Sequence, residues 1–210
     1  MPRLRQVPRA EATPDVAAIY ERLFGDRDPV TQPGTATGTP GNWWTVYALV
    51  PDVLAHAQAG FALLNSRKRV LTPYQRELAL TRTGFCAGSR FVFSQHCKAA
   101  RAAGVPEAKV AAIPAWASSD AFDPADRAIL AFVDEVVLQH GRVQDATFVR
   151  LKEHLGDEAI LELAYSAGSY LMHAVVTRAL RLEYDDVDER LTEIAAPAGA
   201  NQDVMGQIAR

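Results

Sequence analysis

Residues 76–104 read RELALTRTGFCAGSRFVFSQHCKAARAAG, and the fold turns on how this stretch is organised. It is entered through Thr72-Pro73-Tyr74-Gln75, a strong helix start. Thr72 can cap the free amides, Pro73 suits the first helical position, and Gln75 can reach back to complete a capping box. The helix opened there should run to about Phe85. Ser89 can cap a following helix that ends at Gly104. Two helices therefore meet around residues 84–89.

Outward from this segment the apolar spacing stays helical. Val16, Ile19, Tyr20 and Leu23 recur at three and four residues behind Pro14. Trp43, Trp44, Tyr47 and Leu49 mark a short buried helix, and Pro51 starts another with Leu54, Ala57, Phe61 and Leu64 on one face. Downstream, Pro106 opens a short helix. Asp123-Pro124 caps and opens one with the stripe Ile129, Phe132, Val133, Val136 and Val137. Phe148, Leu151 and Leu155 mark a short helix, and residues 160–178 trace a long, mostly apolar one. No run of alternating β-branched residues competes, so a single all-α domain is expected. Residues 1–41 supply an N-terminal helix and a Gly/Pro/Thr-rich loop, residues 42–184 the core, and residues 185–210 a tail with little core of its own. A loop as long as 25–41 in a compact domain is often a functional lid or disordered.

The chain has 210 residues, 49% of them hydrophobic, with 22 Lys+Arg against 25 Asp+Glu and two cysteines. The apolar content suffices for a core and argues against disorder. The slightly acidic balance argues against nucleic acid as a partner. Cys86 and Cys97 are too few for a disulfide scaffold. Uninterrupted apolar runs fall far short of the roughly 20 residues that span a bilayer, so no membrane partner is expected. Residues 1–5 carry charge with no apolar run behind them, unlike a secretory signal. A cytoplasmic, reducing location is the default expectation.

Several familiar motifs are missing. The glycine-rich loop lacks a Gly-Lys-Ser/Thr ending, and there is no Gly-x-Ser-x-Gly elbow. The five histidines (His56, His96, His140, His154, His173) form no His-Glu-x-x-His pattern, so spacing supports no metal site. What remains is within residues 76–104. His96 shares a helix face with Val92, Phe93 and Ala99, and Ser89 lies on the same face. If the two helices pack as an antiparallel hairpin, Glu77 on the first approaches His96 on the second. A carboxylate beside an imidazole fixes its tautomer and raises its basicity, which suits proton transfer near neutral pH. Taken alone, a histidine on an apolar helix face is more often a core residue than a catalyst.

These residues resemble the carboxymuconolactone decarboxylase and alkylhydroperoxidase-D-like superfamily. The likeness rests on Arg76-Glu77-Leu78, the small-residue turn, the aromatic segment Phe91 to Phe93, and Gln95-His96 leading to Ala99-Ala100-Arg101-Ala102-Ala103-Gly104. With its flanks it covers roughly residues 42–182. It implies an all-α bundle and a closed homo-oligomer (trimer, hexamer or dimer). The peroxidase branch has two cysteines between its Glu and its His. At that spacing this chain carries Glu77, Ser89, Val92 and His96, so neither redox cysteine is in place. Were one helix to run through Cys86 and Cys97, about 1.5 Å per residue would put them roughly 16 Å apart, too far for a disulfide.

The resemblance without the cysteines points to the decarboxylase-like branch. It implies a lyase using general acid–base chemistry on a small cyclic or carboxylated molecule, without an organic cofactor. His96 is the expected proton donor, oriented by Glu77. Arg82 and Arg90 are candidates for a substrate carboxylate. Ser89, Phe93, Trp43 and Trp44 are candidates for the substrate pocket. Cys86, read as lying just before a helix N-terminus whose dipole would lower its pKa, is the candidate single reactive thiol of an alternative, peroxidase-like chemistry using Cys86 or Cys97. A metal-dependent enzyme and a non-catalytic binding protein are the remaining alternatives.

Overall fold

The computed structural model describes residues 1–185 and 192–208. Among the described residues it is all helical, with no strand. The α-helices are α1 (Pro14–Phe24), α2 (Asn42–Tyr47), α3 (Pro51–Leu64), α4 (Pro73–Cys86), α5 (Arg90–Ala102), α6 (Glu107–Ala112), α7 (Pro124–Leu138), α8 (Asp145–Lys152), α9 (Asp157–Leu180) and α10 (Val204–Ile208). Short 3-10 helices lie at Arg9–Glu11 and Ile113–Ser118.

Local signals place the central hairpin. Thr72 Oγ1 accepts from the Gln75 amide at 3.3 Å, and Gln75 Oε1 accepts from the Thr72 amide at 3.1 Å. This capping box opens α4. Ser89 Oγ accepts from the Val92 amide at 3.1 Å and opens α5. Between them Gly88 turns the chain at φ 68°. The two helices then cross so closely that a Cβ on Gly84 would stand 2.5 Å from the Phe93 nitrogen and 2.9 Å from its Cα. Only glycine permits this approach.

The hairpin is buried on both faces. Leu78, Ala79, Phe93 and Ala100 join one apolar cluster with α7, α8 and the first half of α9. Leu80, Val92 and Ala99 join a second with α1, α2, α3, the end of α9 and α10. Because α4 lies between the two, its polar residues are buried as well, and each needs a partner. Thr81 and Thr83 donate to the carbonyls of Glu77 and Ala79 at 2.6 and 2.9 Å. Arg82 grips both oxygens of Asp134 on α7 at 2.5 and 3.0 Å and donates to the Ile113 and Pro114 carbonyls.

Both ends of the chain are folded onto this core. The Val7 amide donates to the Thr45 carbonyl at 2.9 Å, and Tyr20 donates to the Val7 carbonyl at 2.9 Å. The C-terminal segment returns across α5. Glu193 pairs with Arg101, the Ile194 amide donates to Ser94 Oγ, and Val204 and Met205 are buried. The tail over 185–210 thus brings apolar groups to the core through α10, a helix too short to show periodicity. The acidic residues 186–191 and residues 209–210 lie outside the described residues. By length and composition alone α9 could cross a bilayer, although polar residues interrupt its apolar run. Here Leu163, Ala167, Tyr170 and Ala174 bury one side of it in the bundle.

Candidate active site

Glu77 on α4 and His96 on α5 meet across the hairpin. Glu77 Oε2 lies 2.7 Å from His96 Nδ1, and Glu77 Oε1 accepts from Arg76 Nε at 2.8 Å. Arg76 is anchored in turn to the Leu64 carbonyl at 2.9 Å. Glu77 is 1% exposed and His96 2%. Burial works against the charged form of Glu77, but the His96 imidazole and the Arg76 guanidinium outweigh it. They hold the carboxyl below the usual carboxylate range. An ionised Glu77 accepts a hydrogen bond from Nδ1–H, which leaves Nε2 as the unprotonated nitrogen of the neutral ring. Tyr170 of α9 braces that ring edge-on, with centroids 4.4 Å apart.

His96 lines a cavity of about 60 Å³. A water needs roughly 10–15 Å³ on this measure, so there is room for a small ring rather than a large ligand. Trp43 and Trp44 of α2, Phe61 of α3, Phe91 of α5 and Tyr170 form apolar walls. Thr35, Thr37 and Thr39 from the 25–41 loop lie across it, their hydroxyls bonded to one another at 2.8 and 2.9 Å. The buried Lys98 Nζ ties this loop to α5 by donating to the Thr37 carbonyl at 2.9 Å. Met205 and Ile208 of α10 complete the cover. The 25–41 loop and the C-terminal segment thus both contribute to the cavity lining.

Two polar residues in the lining have atoms without a partner. Gln95, 6% exposed, has neither amide atom hydrogen-bonded. His173, also 6% exposed, has a free Nδ1. Burial lowers the His173 pKa to about 4, with the nearby His96 and His56 adding to the effect, so the ring is neutral at pH 7. Neither residue stands out in the sequence by periodicity. Gln95 is marked only as part of the Gln95-His96 pair that carries the resemblance, and His173 only by lying three residues after Tyr170 on α9.

Several sequence candidates lie elsewhere. Trp43 and Trp44 do wall the cavity, but Phe93 packs against Phe85 in the opposite apolar cluster, and Phe91 takes the place expected of it. Ser89 is spent on its capping bond and on Asp185, whose Oδ2 it meets at 2.7 Å. Arg82 is committed to Asp134, and neither it nor Arg90 lines the cavity. Cys86 is the last residue of α4 rather than a residue before the N-terminus of α5. Its thiol donates to Asp134 at 3.2 Å, and burial, partly relieved by Arg82, pushes its pKa up to about 12. That is the reverse of an activated thiol. Cys97 is buried, and burial raises its pKa too. Among the described residues no group of three or more His, Cys, Asp or Glu is placed to hold a metal.

The family model of the carboxymuconolactone decarboxylase family matches residues 51–135, which include α4, α5 and the Glu77–His96 pair. Over this stretch the chain is similar to that family, and the match covers the helical hairpin that carries both side chains. Solved structures share its helical fold. An alkylhydroperoxidase AhpD core protein from Ralstonia eutropha JMP134, described as an uncharacterized peroxidase-related protein, aligns with a TM-score of 0.68 at 18% identity, covering 88% of this chain and 93% of that one. The debrominase Bmp8 aligns at 0.65 and 20% identity, covering 97% and 96%. In sequence, the uncharacterized protein YdfG of Bacillus subtilis is 29% identical over 89 residues, 42% of this chain and 60% of that protein. The alignment thus spans about three fifths of that relative's length.

Proposed function

We propose that this protein is a small-molecule enzyme in which His96 Nε2 takes up and returns a proton at the wall of the cavity. The observation that carries this reading is the buried Glu77–His96 contact of 2.7 Å beside a partly enclosed, aromatic-walled cavity. Glu77 holds the imidazole in one tautomer and stabilises the imidazolium that forms when Nε2 accepts a proton. Arg76 keeps Glu77 ionised and oriented. Tyr170 fixes the ring plane. The proton then returns to a different atom of the same molecule, which is the pattern of a lyase or an isomerase. Of the chemistries that the family resemblance implies, a lyase or isomerase step that begins with C–H deprotonation fits best, because loss of CO2 would require a bound carboxylate. The substrate is a small cyclic compound, because among the described residues no Arg or Lys lines the cavity to hold a carboxylate. A homo-oligomer and a cytoplasmic location complete this reading. The first is supported by the apolar outer face of α9, the second by two unpaired cysteines.

The test is proton exchange in deuterium oxide, which reads the proton-transfer step by itself, whatever bond is broken afterwards. A panel of small cyclic ketones, lactones and lactams is incubated with the protein, and loss of C–H signal is followed by NMR. Exchange is expected with at least one compound class. It should fall by about 10²–10⁴ in His96→Gln and Glu77→Gln, the range that general acid–base catalysis supplies. Exchange unaffected by both substitutions would sink the reading. The thiol alternative is separated by replacing both Cys86 and Cys97 with serine, which is expected to leave exchange within about twofold of the original.

A further inference from the structure

We propose that the cavity selects an uncharged, planar ligand whose edge carries a hydrogen-bond donor and acceptor on neighbouring atoms, as a cyclic cis-amide does, and that Gln95 reads that edge. This rests on the acid–base reading for what happens after binding, but not for binding itself.

Three observations carry it. The first is Gln95. Its Oε1 and Nε2 are both buried and unpartnered, and the residue lines the cavity. A native protein rarely leaves both ends of a buried amide without partners. The carboxamide is flat, with one acceptor and one donor sharing a carbon. Its natural complement is another such pair, an N–H beside a C=O. A ketone or ether satisfies only the nitrogen, and an alcohol only one atom at a time. The second observation is charge. Among the described residues the lining contains no Arg, Lys, Asp or Glu, and His173 is neutral at pH 7 because burial holds its pKa at about 4. A carboxylate or ammonium brought here would lose its water without gaining a counter-ion, which strongly opposes binding. The third is shape. Trp43, Trp44, Phe61 and Tyr170 offer ring faces and edges that favour a flat guest. His173 Nδ1 is a further unpaired polar atom for a second heteroatom on the ligand. Gln95 and His96 both line the cavity, so a ligand held at its edge by Gln95 lies in the same space as the imidazole.

Isothermal titration calorimetry at pH 7.5 tests this with 2-pyridone and 2-pyrrolidinone as cyclic cis-amides. N-methyl-2-pyridone (donor removed), toluene (both removed) and benzoate (charged) are the comparisons. At least one cis-amide should bind saturably, and at least tenfold more tightly than its comparisons. Gln95→Leu should erase the preference for 2-pyridone over its N-methyl form. Gln95→Glu, which keeps the size of the side chain, should erase it as well. His96→Gln should retain it, since that nitrogen acts on the ligand rather than selecting it. Failure of both cis-amides to bind, equal binding of 2-pyridone and its N-methyl form to the unaltered protein, or tightest binding by benzoate overturns the inference. Each of these results is read without turnover. A protein that exchanges protons through His96 but shows no cis-amide preference refutes this inference alone. One that binds cis-amides but exchanges nothing refutes the acid–base reading alone.

Discussion

A buried glutamate next to a buried histidine costs desolvation on both sides, and the chain meets that cost with Arg76. Its guanidinium bonds the glutamate at 2.8 Å and the Leu64 carbonyl at 2.9 Å. Removing one member of such a group leaves a buried charge uncompensated, so the effect reaches stability as well as chemistry. Arg76→Met is expected to destabilise the fold by about 3 kcal/mol or more, measured by urea unfolding. Arg82→Met is expected to cost less, about 1–3 kcal/mol, because Asp134 is partly exposed and keeps the Trp116 and Cys86 donors. The two differ in function: Arg82→Met should leave ligand affinity unchanged in the fraction that remains folded, because its partners lie outside the cavity. Glu77 and His96 are legible in the sequence because a helical hairpin brings residues at those positions together. Arg82 misleads for a physical reason. A sequence shows a cation near a turn but not the aspartate 52 residues on that neutralises it.

At the scale of elements, the α4–α5 crossing sets the separation of Glu77 and His96. Gly84→Ala would press a methyl group onto the Phe93 backbone, which cannot move aside as a flexible side chain can. The helices must separate, at an expected cost of about 1–3 kcal/mol in unfolding free energy. Proton exchange should fall as well, though the substitution touches neither Glu77 nor His96. The start of α2 gives a second prediction. Glu183, buried and following α9, accepts from the Trp43 amide at 2.7 Å and the Gly41 amide at 3.1 Å. Burial outweighs these bonds and raises its pKa to about 7. A carboxyl that holds its proton more tightly when folded contributes stability that is full below its unfolded value near 4.5 and lost as pH rises through about 7. Glu183→Gln cannot ionise. Between pH 5 and pH 8 the stability difference between the two proteins should therefore move in favour of the variant by about 2 kcal/mol. Any constant loss from the missing acceptor cancels in that comparison. The longer helices and their caps are readable, since Thr72, Ser89 and Asp123 all act as written, whereas α10 is not. The contribution of Glu183 is not, because it caps a helix from 140 residues away.

For the whole molecule, two surfaces matter. Leu161, Tyr165, Met172 and Val175 form an exposed apolar stripe along α9, while the opposite face of that helix is core. A stripe of this kind on a helix is normally covered. If a second copy covers it, Tyr165→Glu should reduce the mass found by light scattering to that of one chain, 22.9 kDa. A protein already of that mass before substitution would rule out the oligomer. The all-α architecture is readable from periodicity, and the central hairpin from two caps and a turn. The cavity is not. Its walls come from α2, α3, α5, α9, the 25–41 loop and α10, and no local pattern announces that pieces so distant in sequence enclose one space. The Glu77–His96 pair is fixed by one short hairpin, whereas the cover is drawn from the two ends of the chain. Substitutions in the loop or in α10 would therefore alter what the cavity admits while leaving Glu77 and His96 in register.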